Sequence, residues 1–350
     1  MKKNIFAHII ALFTLILPCS CIEEDNFDNS PIGNFDALWS LIDQHYCFLE
    51  YAEKEFGLNW NSIYHKYKAK IETETSERQL FSICGEMLSE LRDGHVNLTS
   101  VYGTAFYWDW KLEYPINFSD SIQRKYLSNK FMFNNGIKYT ILPNDIAYAH
   151  IGSFENNFGS GNLTAFMYDI SSCKALILDI RNNGGGLITA AETLSSHFTD
   201  KKTKIGYIQH KTGTAHNAFS SPEAMYLSPG EGAIWKRPVI VLTNRGVFSA
   251  ANHFVMIMKE LPHVIIIGDK TGGGSGLPFN STLPNGWNVR FSACPILDVD
   301  GNHTEFGIEP DIKQNITSED WDKGVDTIIE KAIEIAKELT KEEEQKTIGY

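Results

Sequence analysis

The chain has 350 residues, of which 43% are hydrophobic and 21% charged, and its formal net charge is −12 at pH 7. This composition excludes a wholly disordered chain and a polytopic membrane protein. The excess of acidic residues disfavours nucleic acid as a partner, because an acidic surface repels the phosphate backbone.

The first residues have the pattern of a secretory signal. Lys2 and Lys3 precede an apolar run over residues 5–17, and this run is too short to cross a bilayer. Ser20-Cys21 is typical of a bacterial lipoprotein signal, which predicts cleavage after residue 20 and a lipid on Cys21. We therefore expect a secreted protein attached by its lipid to the bacterial outer membrane, on the periplasmic or the outer side. The alternative is a plain signal peptide with an ordinary cysteine nearby.

An acidic tether is predicted over 21–33, followed by an N-terminal helical cap over 34–100. Three amphipathic helices are expected in the cap, and the third begins with a capping box from Ser76 to Gln79. The cap ends in Leu-Arg-Asp-Gly-His, residues 91–95, where we expect His95 on an exposed, mobile loop. The apolar residues at helical spacing are Phe35, Leu38, Trp39, Ile42 and Tyr46; Trp60, Ile63, Tyr64, Tyr67 and Ile71; and Leu80, Ile83, Cys84, Met87, Leu88 and Leu91.

An α/β core is predicted over 145–317. It follows an irregular β connection over 101–144, which is too short to contain an inserted PDZ-type domain. From Asp145 onward strands alternate with helices, which predicts a mainly parallel sheet with helices packed on it. Asn285-Gly286 predicts a hairpin, and a final helix is expected over about 321–339 within a C-terminal segment 318–350. The other expected strands are 146–154, 175–180, 204–210, 238–243 and 264–268, and the expected helices are 162–172, 187–198 and 249–260.

Two loops follow strands of this sheet and can meet at one edge, because ligands bind at the carboxyl ends of parallel strands. The first loop contains Gly184-Gly185-Gly186, which is either a tight turn or a set of backbone N–H groups facing an anion. The second leads to Ser249 at the start of a helix. Ser249 is either a helix N-cap or a nucleophile whose oxyanion is stabilised by backbone N–H groups.

A serine nucleophile needs a base, and two histidines are candidates. His253 lies one turn along the same helix, whereas His95 is distant in sequence on the loop after the cap. Glu305, Glu309 and Asp311 lie close together near the end of the core, and one of these carboxylates could orient a histidine. Cysteines 47, 84, 173 and 294 form no CxxC pair, so we expect free thiols and no zinc site.

Five motifs in this order resemble the tail-specific, or carboxyl-terminal processing, serine peptidases. They are Leu-Arg-Asp-Gly-His at 91–95, Leu-Ile-Leu-Asp-Ile-Arg-Asn-Asn-Gly-Gly-Gly at 176–186, Leu-Thr-Asn-Arg-Gly-Val-Phe-Ser-Ala-Ala at 242–251, Gly-Asp-Lys-Thr-Gly-Gly-Gly at 268–274 and Gly-Ile-Glu-Pro-Asp at 307–311. The resemblance implies a core of the ClpP and crotonase type behind the helical cap.

The resemblance implies a serine endopeptidase in the branch similar to the tricorn core. Ser249 would be the nucleophile, His95 the base and Glu305 the acid that orients the histidine. The backbone N–H group of Gly185, with Gly184 as the alternative in the same loop, and that of Ala250 would bind the oxyanion. The tail-specific branch has a lysine base where this chain has Gly274, and Lys270 is out of register with it.

The substrate implied is a protein or peptide, and no metal or cofactor is implied. A second interpretation of the chain's function is a non-catalytic protein that binds a hydrophobic ligand or peptide on the same fold, as the related retinoid-binding protein of the photoreceptor matrix does. A third is an esterase that uses the same residues. Retention of a serine, a histidine and a nearby glutamate favours the peptidase.

Overall fold

The computed structural model describes residues 27–112 and 114–348, and for residues 110, 343, 344 and 346–348 it describes only the backbone. The predicted signal peptide, the lipidation site Cys21 and the first part of the tether therefore lie outside the described residues. Among the residues described, no helix combines the length and the apolar character needed to span a membrane.

The N-terminal cap packs its helices on an antiparallel sheet. Its helices are α1 (Pro31–His45), α2 (Leu49–Phe56), α3 (Trp60–Lys68) and α4 (Glu77–Ser89), and the sheet has the order β11-β12-β1-β2, with β1 Asn97–Ser100, β2 Gly103–Phe106, β11 Leu277–Thr282 and β12 Asn288–Cys294. The predicted capping box of Ser76 and Gln79 at the start of α4 is confirmed. Helix α2 was not expected, and α1 begins within the predicted tether.

A seven-stranded sheet forms the core, with the order β14-β10-β9-β6-β5-β4-β3. Strands β5, β6, β9, β10 and β14 are parallel, while β3 and β4 add an antiparallel edge, so the predicted mainly parallel sheet is confirmed. The strands are β3 Met132–Asn134, β4 Ile137–Leu142, β5 Ile146–Ile151, β6 Ala175–Asp179, β9 Val239–Thr243, β10 Val264–Gly268 and β14 Ile312–Lys313.

Helices cover both faces of this sheet, which explains why β6 and β9 are buried at every position and apolar at all but their last residues, Asp179 and Thr243. One face packs on α6 (Ser160–Asp169), α7 (Ile188–Ser196) and α8 (Ala250–Lys259). The other face packs on α5 (Asp120–Leu127) and α10 (Thr327–Ile348).

Three details of the core differ from the predictions. Helix α5 lies in the segment that we expected to be strands and loops. The strand expected over 204–210, now β7 (Thr203–Ile208), leaves the main sheet and pairs antiparallel with β8 (Glu223–Leu227) and β13 (Ile296–Leu297). The expected final helix is two helices, α9 (Ser318–Lys323) and α10, because Gly324 ends α9 in a left-handed conformation.

The remaining predictions of local structure agree with the fold. Asn285 and Gly286 connect β11 to β12, as the hairpin prediction required, and Gly286 has a φ of 85°. The cysteines at 47, 84, 173 and 294 are free thiols, the first three buried.

Candidate active site

Ser249 occupies a strained turn between β9 and α8. Its φ of 58° and ψ of −124° are unusual for a residue with a side chain, and its hydroxyl makes no capping hydrogen bond to the helix. Ser249 therefore occupies the N-cap position of α8, but its side chain does not cap the helix. Strain of this kind persists only where surrounding contacts enforce it, and it is typical of functional positions.

Loops from neighbouring strands hold this turn in place. The N–H of Ser249 donates to the carbonyl of Gly273 at 2.8 Å, and the N–H of Phe248 donates to the carbonyl of Asn183 at 3.0 Å. The loops after β6, β9 and β10 thus meet at the carboxyl edge of the sheet, as predicted. Gly185 packs so closely that a Cβ there would lie 2.8 Å from the Cβ of Ser249.

His95 reaches Ser249 from the cap. Its Nε2 lies 3.1 Å from the Ser249 Oγ, and its ring packs on Phe248 with the centroids 4.8 Å apart. The side chain is 6% exposed, so our expectation of an exposed, mobile histidine is wrong: the cap and the core enclose it. Burial lowers the pKa of His95 below its usual 6.5, which keeps the imidazole neutral and able to accept a proton at neutral pH.

His253, the other candidate base, faces a different partner. It is buried on α8, and its Nε2 lies 3.2 Å from Glu192 Oε1. The contact of His253 with Ser249 is through the backbone, its N–H donating to the Ser249 carbonyl at 3.0 Å. Of the two histidines, only His95 has a described hydrogen bond to the Ser249 hydroxyl.

Glu305 does not hydrogen-bond to His95 in the described part of the chain. Its Oε2 accepts from the Ser275 N–H at 2.6 Å, and its carboxyl group contacts that of Asp93. Burial and the negative charge of Asp93 raise the pKa of Glu305 well above its usual range, which favours a protonated Glu305 that can donate to Asp93.

Asp93 connects this carboxyl pair to the histidine. It accepts hydrogen bonds from the His95 N–H at 2.6 Å and from the Tyr46 hydroxyl at 2.8 Å. Its charge also raises the pKa of His95, against the larger effect of burial. The Nδ1 of His95 is buried without a hydrogen-bond partner among the described residues. We had not selected Asp93 as a site residue, although the motif that ends in His95 contains it.

The two predicted oxyanion donors differ in their bonding. No hydrogen bond of the Ala250 N–H is found within the described residues, and Ala250 lines the cavity beside Ser249. The Gly185 N–H, in contrast, donates to Asn183 Oδ1 at 2.9 Å. Gly186 lines the same cavity, and its N–H makes no hydrogen bond to the described chain. Sequence reasoning did not separate Gly186 from its neighbour, because the direction of each N–H depends on the turn.

Family models and a solved structure match both the core and the cap of this chain. The family model for peptidase family S41 matches residues 145–314, and the model for the tricorn protease C1 domain matches residues 27–89. A crystal structure described as a candidate peptidase from Parabacteroides merdae is 46% identical, with a TM-score of 0.84 over 88% of this chain and 97% of that chain. The chain belongs to peptidase family S41.

More distant proteins are similar to part of the chain or to its fold. The carboxy-terminal processing protease CtpA of Bacillus subtilis strain 168 is 27% identical over 194 residues, which are 51% of this chain but only 39% of the relative. Mature CPAF, at 12% identity, has a TM-score of 0.67 over 88% of this chain and 96% of that chain, and this likeness shows the shared fold alone.

Within family S41, the alternative lysine base does not fit this chain. At Gly274, where the tail-specific branch has its lysine, an added Cβ would lie 2.4 Å from the Phe248 ring, and φ is 75°. Lys270 lies 3.6 Å from Glu309 and lines a second cavity of about 330 Å³, whereas Ser249 lines a cavity of about 290 Å³. The described residues thus give Ser249 a histidine and no lysine.

Proposed function

We propose that this family S41 protein is a serine endopeptidase in which His95 activates Ser249. The observation that carries the proposal is the 3.1 Å contact between His95 Nε2 and Ser249 Oγ, at a serine whose strained backbone releases it from helix capping. A structural serine would need neither the strain nor the buried histidine.

The proposed reaction is acyl transfer to water. His95 Nε2 takes the hydroxyl proton as Ser249 Oγ attacks the peptide carbonyl, and the imidazolium then protonates the leaving amine. Water attacks the acyl-enzyme in the same way, with His95 again as the base. The oxyanion accepts hydrogen bonds from the Ala250 N–H and from one N–H of the glycine loop. That second donor is Gly185 if its hydrogen bond to Asn183 Oδ1 opens, and Gly186 if it stays closed.

The carboxyl pair of Asp93 and Glu305 supplies one negative charge near the histidine. In this proposal Glu305 is the supporting acid implied by the family resemblance, but it acts through Asp93. The pair stabilises the buried imidazolium that forms when His95 takes the serine proton.

The proposed substrate is a protein or peptide, by analogy with relatives named as carboxy-terminal processing proteases. We also propose that the mature protein is lipid-anchored through Cys21 at the outer membrane, from the signal-like residues 1–20. Metabolic labelling with a radioactive fatty acid tests the anchor: label should enter the wild type and not a Cys21→Ala variant. Label in both proteins would contradict the assignment of Cys21.

Digestion of casein by the purified protein tests the peptidase activity. The wild type and a Ser82→Ala control, changed at an exposed serine on α4, should release the same peptides. Ser249→Ala should lose about three or more powers of ten in rate. Mass spectra of the products show whether internal bonds are cut, as an endopeptidase requires. Equal digestion by Ser249→Ala would contradict the mechanism.

A further inference from the structure

Arg290 brings a positive charge to the cavity that contains the nucleophile. On strand β12 its neighbours Val289 and Phe291 are buried in the core of the cap, so Arg290 extends from the opposite face of the sheet. There it lines the cavity of about 290 Å³ that also contains Ser249 and Ala250.

This charge has no counterion. No ion pair or hydrogen bond joins the guanidinium of Arg290 to the described residues, and its cross-strand neighbours are the neutral Asn97 and Asn280. Arg290 is exposed to solvent and lines the same cavity as the nucleophile, in a chain with 43 acidic and 31 basic residues. The charge of Arg290 also lowers the pKa of His95, in the same direction as the larger effect of burial.

The rest of the cavity is mostly apolar or neutral. Leu187, Ile188, Pro278 and Ile296 supply apolar surface. Among the described lining residues, Arg290 is the one with a permanent charge, since no Asp, Glu or Lys lines this cavity. A single arginine in an apolar cavity is the arrangement that selects one anionic group on an otherwise uncharged ligand.

We infer that Arg290 is a specificity residue that binds a carboxylate of the substrate next to the scissile bond. This inference rests on the proposed peptidase function and adds the chemistry of the preferred substrate. A guanidinium binds a carboxylate through two parallel N–H···O hydrogen bonds, which a lysine cannot reproduce. The carboxylate comes either from an acidic side chain or from the free carboxyl terminus of the substrate.

The contact should change selectivity strongly. A charge-assisted hydrogen bond of this type corresponds to a preference of about 10- to 100-fold for the carboxylate over its neutral analogue. Arg290→Gln should remove this preference, and Arg290→Lys should retain part of it because the charge remains. A structural role would instead change all substrates equally.

Binding of a library of short N-acetylated peptides tests the carboxylate selectivity of Arg290, whether or not the protein hydrolyses them. The library has two forms, one with free and one with amidated carboxyl termini. Each form contains peptides with Glu and peptides with Gln at the varied positions. Peptides retained on immobilised Ser249→Ala are compared with those retained on Ser249→Ala/Arg290→Gln. The matched control is Ser249→Ala/Arg124→Gln, because Arg124 is exposed on α5 and lines no part of this cavity. Thermal melting checks that each variant is folded.

We expect carboxylate peptides to be enriched on Ser249→Ala and on the Arg124 control, and not on the Arg290→Gln variant. If amidation of the peptides abolishes their enrichment, the carboxylate bound by Arg290 is the free carboxyl terminus. If the change from Glu to Gln abolishes it, the carboxylate is that of an acidic side chain. No enrichment, or equal enrichment on the Arg290→Gln variant, overturns the inference. Carboxylate-selective capture together with no hydrolysis by the protein with Ser249 intact would contradict the peptidase function and leave the Arg290 site standing.

Discussion

The buried carboxyl pair leads to a sharp expectation for Asp93→Asn. Asp93 and Glu305 are 1% and 2% exposed, and the charge of Asp93 raises the pKa of His95 against the larger effect of burial. Opposite unit charges within the usual range of about 4–6 Å, at an effective dielectric constant of about 20, interact by about 3–4 kcal/mol. Loss of this stabilisation of the imidazolium should slow the attack by Ser249 about 100-fold.

The rate of labelling by a fluorophosphonate reports this step without knowledge of the substrate. Asp93→Asn should react about 100-fold more slowly, whereas Glu305→Gln, which replaces one neutral group by another, should stay within about 10-fold of the wild type. Because Asp93 raises the pKa of His95, its removal should also move the acid limb of the pH–rate profile to lower pH. If labelling slows in Glu305→Gln but keeps the wild-type rate in Asp93→Asn, the assignment of the charge to Asp93 is refuted. Glu305 would then be the ionised acid.

Three further substitutions test other parts of the site and fold. Lys270→Ala should keep the wild-type rate of fluorophosphonate labelling, because this lysine pairs with a glutamate outside the serine cavity; a loss would return the protein to a Ser–Lys mechanism. Gly185→Ala should slow labelling about 100-fold, since its Cβ would displace the nucleophile, while Gly184→Ala, which meets nothing within 4 Å, should label normally; equal rates would contradict the packing. Asp326→Ala should lower the free energy of unfolding in urea by about 3–5 kcal/mol, because it leaves the buried Arg181 short of one carboxylate; a change below about 1 kcal/mol would show that this ion pair is dispensable.

Much of the fold could be predicted because local signals were strong. The capping box at Ser76, the hairpin at Asn285-Gly286 and the apolar runs of β6 and β9 each depend on nearby residues alone. The errors arose where tertiary contacts decide the structure. Helix α5 has few apolar residues, and the break at Gly324 interrupts an otherwise continuous helical pattern.

The site residues also divide into those that local motifs predict and those that only tertiary packing determines. The five motifs gave Ser249 and His95, and the structure brings them together. The exposure of His95, the link from Glu305 through Asp93, and the position of Arg290 all depend on how the cap packs on the core. Arg290 belongs to no motif and lies in a strand of ordinary composition, so no local signal could have placed it beside Ser249.

Mass spectrometry of the protein after fluorophosphonate treatment tests the central claim most directly. We expect one phosphonyl group, located on Ser249 by peptide mapping, and no such adduct in His95→Ala under the same conditions. An unmodified wild-type protein, or an adduct that forms equally without His95, would contradict a nucleophilic Ser249 activated by that histidine.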